Sequence, residues 1–136
     1  MKSKTNGWIY WTPRILAILL ILFLALFSLD VFDMNLGFWE TATGLLIHNI
    51  PSLVLLIVLA IAWKYEIVGG VVFTLSGISF VVLHIFRLRD VAPHAGILDC
   101  VLPIVMIAGP AFLIGILFAV GWCRKRAKGR IALTDR

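Results

Sequence analysis

Between Trp39 and Trp63 the chain runs for 25 residues with one ionised side chain, Glu40, and a Trp at either end. As a helix this stretch is about 37 Å long, enough to cross a hydrocarbon core of about 30 Å. Three further runs share its character: Tyr10 to Leu29, Ile67 to Phe86 and Ile97 to Trp122. A segment in lipid must satisfy its own backbone polar groups, so each run reads as a helix. The expected fold is all-α: an integral membrane bundle of four transmembrane helices, up-down-up-down, with both termini cytoplasmic. Its spans are about 10–29, 39–63, 67–86 and 97–122, in a single domain with a basic cytoplasmic tail over 123–136.

Composition supports lipid as the solvent. The chain is 62% hydrophobic with a mean hydropathy of +1.06, against about 45–50% apolar for a soluble domain. A chain of 136 residues is too small to hide that excess in a soluble core. The net charge of +5 follows from flanking cations rather than a nucleic-acid surface, because no aromatic-basic alternation is present. Ten of the 12 Lys and Arg residues fall on the side of the two termini and Lys64, and only Arg87 and Arg89 fall on the other. By the positive-inside rule the termini are cytoplasmic. Asp30, Asp33, Glu40 and Asp90 lie on the outer side, where they could pair with the two arginines.

Lys2 and Lys4 before an apolar stretch resemble the start of a signal peptide, but Ala25-Leu26-Phe27-Ser28-Leu29-Asp30 offers no small-x-small cleavage site. The first run is therefore expected to be an uncleaved helix. Trp8, Tyr10 and Trp11 form its aromatic collar, Pro13 suits its first turn, and Arg14 is expected to snorkel to headgroups.

Small and polar residues mark the faces that should turn inwards. On run two, Thr41, Gly44, His48 and Ser52 recur at steps of three and four. Pro51 cannot donate to the Ile47 carbonyl, and His48 or Asn49 is expected to help satisfy it. On run three the inward stripe is Gly70, Phe73, Gly77, Phe80 and His84; on run four Asp99, Pro103, Met106 and Pro110 share a face. Gly44, Gly70, Gly77 and the ladder Ala111, Gly115, Ala119 are the expected sites of close helix packing, the ladder being free for an outside partner. Lys64-Tyr65-Glu66 makes a tight turn that forces runs two and three to be neighbours, and Arg87 to Gly96 reads as a loop. The block Arg124 to Arg130 is expected to lie on anionic headgroups and then fray.

The candidate site is a polar intramembrane cluster of Glu40, His48, Asn49, His84 and Asp99 in the outer leaflet. His48, His84 and Asp99 lie about 22, 28 and 34 Å above the inner ends of their helices. A hydrogen-bonded plug that fixes helix register is the preferred reading. A proton- or ion-responsive site and a metal site are the alternatives, the latter disfavoured by unequal heights and the lack of an i,i+4 ligand pair. The inner halves carry almost no polar side chain beyond Thr74 and Ser76, so the cluster reads as a pocket closed from below. Cys100 and Cys123 are about 34 Å apart along one helix, too far to bridge. No metal, cofactor, catalytic residue or phosphate loop is indicated; Ser28, Ser52, Ser76 and Ser79 are expected to bond their own helices.

Arg14-Ile15-Leu16, Ser28-Leu29-Asp30-Val31-Phe32, Leu46-Ile47-His48-Asn49-Ile50-Pro51 and Ala62-Trp63-Lys64-Tyr65-Glu66 followed by Gly69-Gly70 together resemble a family of small prokaryotic multi-pass membrane proteins classed as a domain of unknown function. The resemblance covers runs one to three and implies a prokaryotic cell membrane, the inner membrane; no activity carries over from it. The expected role is non-enzymatic: a subunit or scaffold packing with a second copy or a larger membrane protein, in contact with the bilayer and not with nucleic acid. The alternative is an oligomeric transporter or channel that uses the outer His/carboxylate cluster.

Overall fold

The four apolar runs become helix, and two prolines set a π-helical irregularity in the fourth. The structure is a computed structural model describing residues 7–29, 32, 37–91 and 96–134. Helix α1 spans Gly7–Phe27, α2 spans Phe38–Ala62 and α3 spans Glu66–Val91. Helix α4 (Ile97–Pro103), a π-helical segment (Ile104–Ala108) and α5 (Gly109–Thr134) follow one another without a break. Four stretches are long and apolar enough to cross a membrane: Tyr10–Phe27, Phe38–Ala62, Glu66–Asp90 and Ile97–Ala127.

The π segment has a local cause. Pro103 and Pro110 lack the N–H groups that an α-helix would direct to the carbonyls of Asp99 and Met106. Between them the ladder widens, and the Gly109 N–H donates to the carbonyl of Ile104, five residues back. A single π turn absorbs such a register fault inside an otherwise α-helical span.

Several boundaries differ from the hydropathy reading. Helix α3 continues past Phe86 to Val91, because Arg87, Leu88 and Arg89 are sound helix formers even though they end the apolar run. Helix α5 holds its pitch to Thr134 rather than fraying after the basic block. Glu66 is the first residue of α3, not part of the turn. Asp30, Asp33 and residues 92–95 of the expected loop lie outside the described residues.

Helix α1 packs on α2 and α5, and α3 packs on α2 and α5. Gly70 of α3 and Gly115 of α5 set the distance of the α3–α5 pair. A Cβ on Gly70 would stand 3.3 Å from the Gly115 carbonyl oxygen, and one on Gly115 would stand 3.1 Å from the Gly70 carbonyl oxygen and run into Thr74. Ala119 also abuts Gly70, and Gly77 abuts the Phe112 ring. Gly115 and Ala119 of the Ala111, Gly115, Ala119 ladder, expected to await an outside partner, thus face this chain's own α3. A right-sized neighbour with two glycines in register was already present in the sequence.

Burial is uneven along the bundle. The core consists of Ala17, Leu20 and Ile21 of α1, Leu55, Val58, Leu59 and Ala62 of α2, Phe73 of α3, and Ala111, Ile114 and Phe118 of α5. All of the α2 members follow Pro51. From Phe38 to Pro51 α2 has no buried residue, α3 has none from Ile78 to Asp90, and α4 has none. The bundle is closed at the end bearing Trp63 and open at the other.

Candidate functional site

The closed end is built around ions. Arg14 stands one residue after Pro13 near the start of α1, Glu66 opens α3, and Lys125 lies on the extension of α5. Arg14 Nη2 donates to Glu66 Oε1 at 3.2 Å, and Lys125 Nζ donates to the same oxygen at 2.8 Å. The Arg14 and Glu66 side chains are 1% and 7% exposed, whereas that of Lys125 is 54% exposed. Arg14 Nη1 also donates to the carbonyl of Tyr10. Aromatic rings sheathe the guanidinium: its carbon lies 3.6 Å from the Tyr10 ring centre, 5.8 Å from that of Trp63 and 5.7 Å from that of Phe118. Trp11 meets Trp63 edge-on beside them.

This arrangement reverses the expectation for Arg14, which does not reach outwards to headgroups. A guanidinium next to a lone carboxylate and three ring faces gains more by staying inside, since each ring face attracts the cation. Nor is this end short of polar side chains as expected. Glu66 also benefits from its place in the first turn of α3, where the helix dipole favours an anion. Each ion of the buried pair carries a large desolvation cost that depends on its partner being in place. Three helices distant in sequence are thereby tied at one end. Two atoms there, Glu66 Oε2 and Arg14 Nε, are buried without a hydrogen-bond partner, and Oε2 faces Gly121 at 3.2 Å from where a Cβ would stand.

Sequence reasoning passed over this triad, yet a signal existed. Arg14 is the only Lys or Arg between Lys4 and Lys64, and Glu66 is the only acid between Glu40 and Asp90. Isolated opposite charges beside apolar runs seek each other.

The polar residues of the expected intramembrane cluster are placed differently from one another. Glu40 and Asp99 each occupy the third position of a helix and accept from the N–H of the glycine before it: Gly37 at 3.2 Å and Gly96 at 3.0 Å. These carboxylates close the first turns of α2 and α4. His48 is exposed, and its Nδ1 lies 3.0 Å from the Gly44 carbonyl of its own helix. Asn49 Nδ2 donates to the Leu45 carbonyl at 3.1 Å. Neither side chain serves the carbonyl of Ile47 freed by Pro51, because a side chain in a helix reaches back towards its own i−4 carbonyl. Ser52 Oγ is buried without a partner. Thr74 likewise donates to Gly70, four residues back.

His84 makes the one cross-helix contact of the set. Its Nε2 lies 3.3 Å from the backbone carbonyl of Asp99, and its ring stacks on Phe80 with centres 5.7 Å apart. Pro103 explains the pairing: it is the residue four beyond Asp99, and having no N–H it leaves that carbonyl open. The structure therefore joins His84 to Asp99 through the backbone, while the contacts of Glu40, His48 and Asn49 stay within α2 or its cap. Among the described residues, no three His, Cys, Asp or Glu side chains gather as a metal-sized group. Cys100 is half-buried and Cys123 exposed, both as free thiols.

A family model described as a domain of unknown function (DUF7670) matches residues 1–130. The match takes in the fourth run, beyond the three runs that carry the sequence resemblance. No curated protein and no solved structure matches the chain.

Proposed function

We propose that this chain, which belongs to the DUF7670 family of unknown function over residues 1–130, is a non-enzymatic subunit or scaffold of a larger membrane assembly. It sits in the inner membrane of a prokaryotic cell, up-down-up-down, with both termini cytoplasmic, as the ten-to-two division of Lys and Arg favours. The carrying observation is His48. It lies about 15 Å into α2 from Phe38, at membrane depth, and it is exposed on the chain's own surface. Ionisable side chains at such depth face protein or water, not acyl chains. The open end of the bundle, where α2 up to Pro51 buries nothing, is the face that a neighbouring membrane helix covers. With the Gly115 ladder already engaged by α3, this α2 face replaces it as the surface offered to a partner.

The test is photo-crosslinking in membranes from position 45, beside His48, and from position 19 on the outward face of α1. Protein adducts from position 45 with lipid adducts from position 19 support the reading; lipid adducts alone from both oppose it. Orientation is checked with a membrane-impermeant thiol reagent on intact cells, which reaches Cys100 and spares Cys123; labelling of Cys123 alone inverts the topology.

One observation favours the second reading, an oligomeric transporter or channel: the π turn between Pro103 and Pro110, a kind of irregularity frequent at functional sites, lies on the helix that His84 contacts. Reconstituted vesicles distinguish the two. Ion or proton flux above that of empty vesicles, lost on changing His48 or His84, would replace the scaffold reading.

A further inference from the structure

The half-exposed member of the buried triad has a role that the other two do not. Arg14 and Glu66 bond each other directly, so their pair survives if Lys125 leaves. Lys125 does not hold the core together; it ties the end of α5 to the bundle. From Cys123 to Ala127 every residue of α5 is exposed, and Arg126 packs back on Trp122 of the same helix, its guanidinium carbon 4.9 Å from that ring centre. Within this stretch Lys125 makes an ion pair and a cation–π contact to other helices: it meets Glu66 Oε1 at 2.8 Å and lies over the Tyr10 ring with its Nζ 5.3 Å from the centre.

We propose that Glu66 and Lys125 form a releasable latch on the basic extension of α5, and that anionic lipid headgroups compete with Glu66 for Lys125. Three observations meet here. Glu66 is fixed in place by Arg14 and by burial, so one side of the latch does not move. Lys125 is 54% exposed, so its bond is screened and the lysine stays reachable from the membrane surface. It is flanked by Arg124 and Arg126, a local density of cations that draws this segment to anionic headgroups. The attraction of one lysine to such a surface and the strength of a half-exposed ion pair are of the same order. Surface composition therefore decides which partner holds Lys125. On a neutral surface the extension stays docked against Tyr10 and Glu66. On an anionic one it swings to the headgroups while the Arg14–Glu66 pair keeps α1 and α3 joined.

The inference rests on the reading of a membrane bundle whose tail meets the anionic leaflet, and the experiment separates the two. The full chain, with Cys100→Ala and Cys123→Ala, carries a single nitroxide at position 127. It is placed in nanodiscs of phosphatidylcholine alone and in nanodiscs that also contain phosphatidylglycerol. The latch predicts a restricted spectrum in the neutral discs and an upward shift in mobility, or in lipid contact, in the anionic ones. Lys125→Gln leaves the buried pair intact and should give the released spectrum already in neutral discs, with a smaller response to phosphatidylglycerol. Glu66→Gln should do the same, and Lys125→Gln keeps the test decisive if that variant is unstable. Identical wild-type spectra in both lipids, or a Lys125→Gln variant that matches wild type in each, would overturn the latch. Failure of the wild-type chain to enter nanodiscs at all would instead overturn the membrane reading beneath it.

Discussion

Removing the Glu66 charge should be among the most damaging single changes available to this chain. Glu66→Gln leaves Arg14 with a side chain 1% exposed and no anion in reach. Breaking a buried pair by removing one partner costs about 3–5 kcal/mol, because the surviving charge stays desolvated. The Tyr10 ring against the guanidinium contributes about 2 kcal/mol as a desolvated cation–π contact, but it is present before and after the change and so offsets none of the loss. Lys125→Ala removes the other ion pair to the same carboxylate oxygen, but Lys125 is 54% exposed, and such a pair contributes about 0–1 kcal/mol. The two variants should differ several-fold in their effect although the shorter bond is the one to Lys125. Unfolding titrations in mixed micelles, followed by the fluorescence of Trp11 and Trp63 beside the triad, would measure both. A double change of Arg14→Met with Glu66→Leu should recover most of the loss, as apolar replacement of a whole buried pair is often neutral. Equal, small losses for Glu66→Gln and Lys125→Ala would refute the reasoning, and so would a double variant as unstable as the single one.

Gly115→Ala should lower stability by about 1–3 kcal/mol, the range for overpacking, since its Cβ would meet Thr74 and the Gly70 carbonyl; Gly109→Ala, with nothing within 4 Å, is the control and should be neutral or slightly stabilising in the same titration. His84→Phe keeps a ring on Phe80 but leaves the Asp99 carbonyl without its donor, for a loss of about 1 kcal/mol. Adding Pro103→Ala to that variant restores an N–H four residues beyond Asp99, and thermal melts should show recovery. His48→Ala in the isolated chain should cost no more than about 0.6 kcal/mol, the average for a membrane hydrogen bond, because its contact lies within its own helix; a larger loss measured in native membranes than in detergent would report a partner.

Some of this molecule can be read straight from the chain. The four helices follow from apolar length alone, because backbone polar groups in lipid leave no other local solution. The closeness of α3 and α5 was legible as small residues in register at Gly70, Gly77 and Gly115, though not which helix each would meet. Pro103 and Pro110 stand in the fourth run, and the π turn between them follows from their two missing N–H groups. What a helix does with its own carbonyls was less visible: His48 and Asn49 read as members of an intramembrane cluster, yet each turns back to the residue four before it. Glu40 and Asp99 looked like members of a cluster and instead close the first turns of their own helices.

The tertiary structure alone decided the triad. Arg14 and Glu66 are 52 residues apart in sequence, and Glu66 and Lys125 are 59 apart. Each taken singly looks like an interfacial charge that water or headgroups would satisfy. Apolar periodicity fixes which face of a helix turns inwards, but not which end of which neighbour it will meet. Once α1, α3 and α5 are assembled, one carboxylate is the nearest anion to two cations at the closed end of the bundle, and Coulomb attraction makes the pairing.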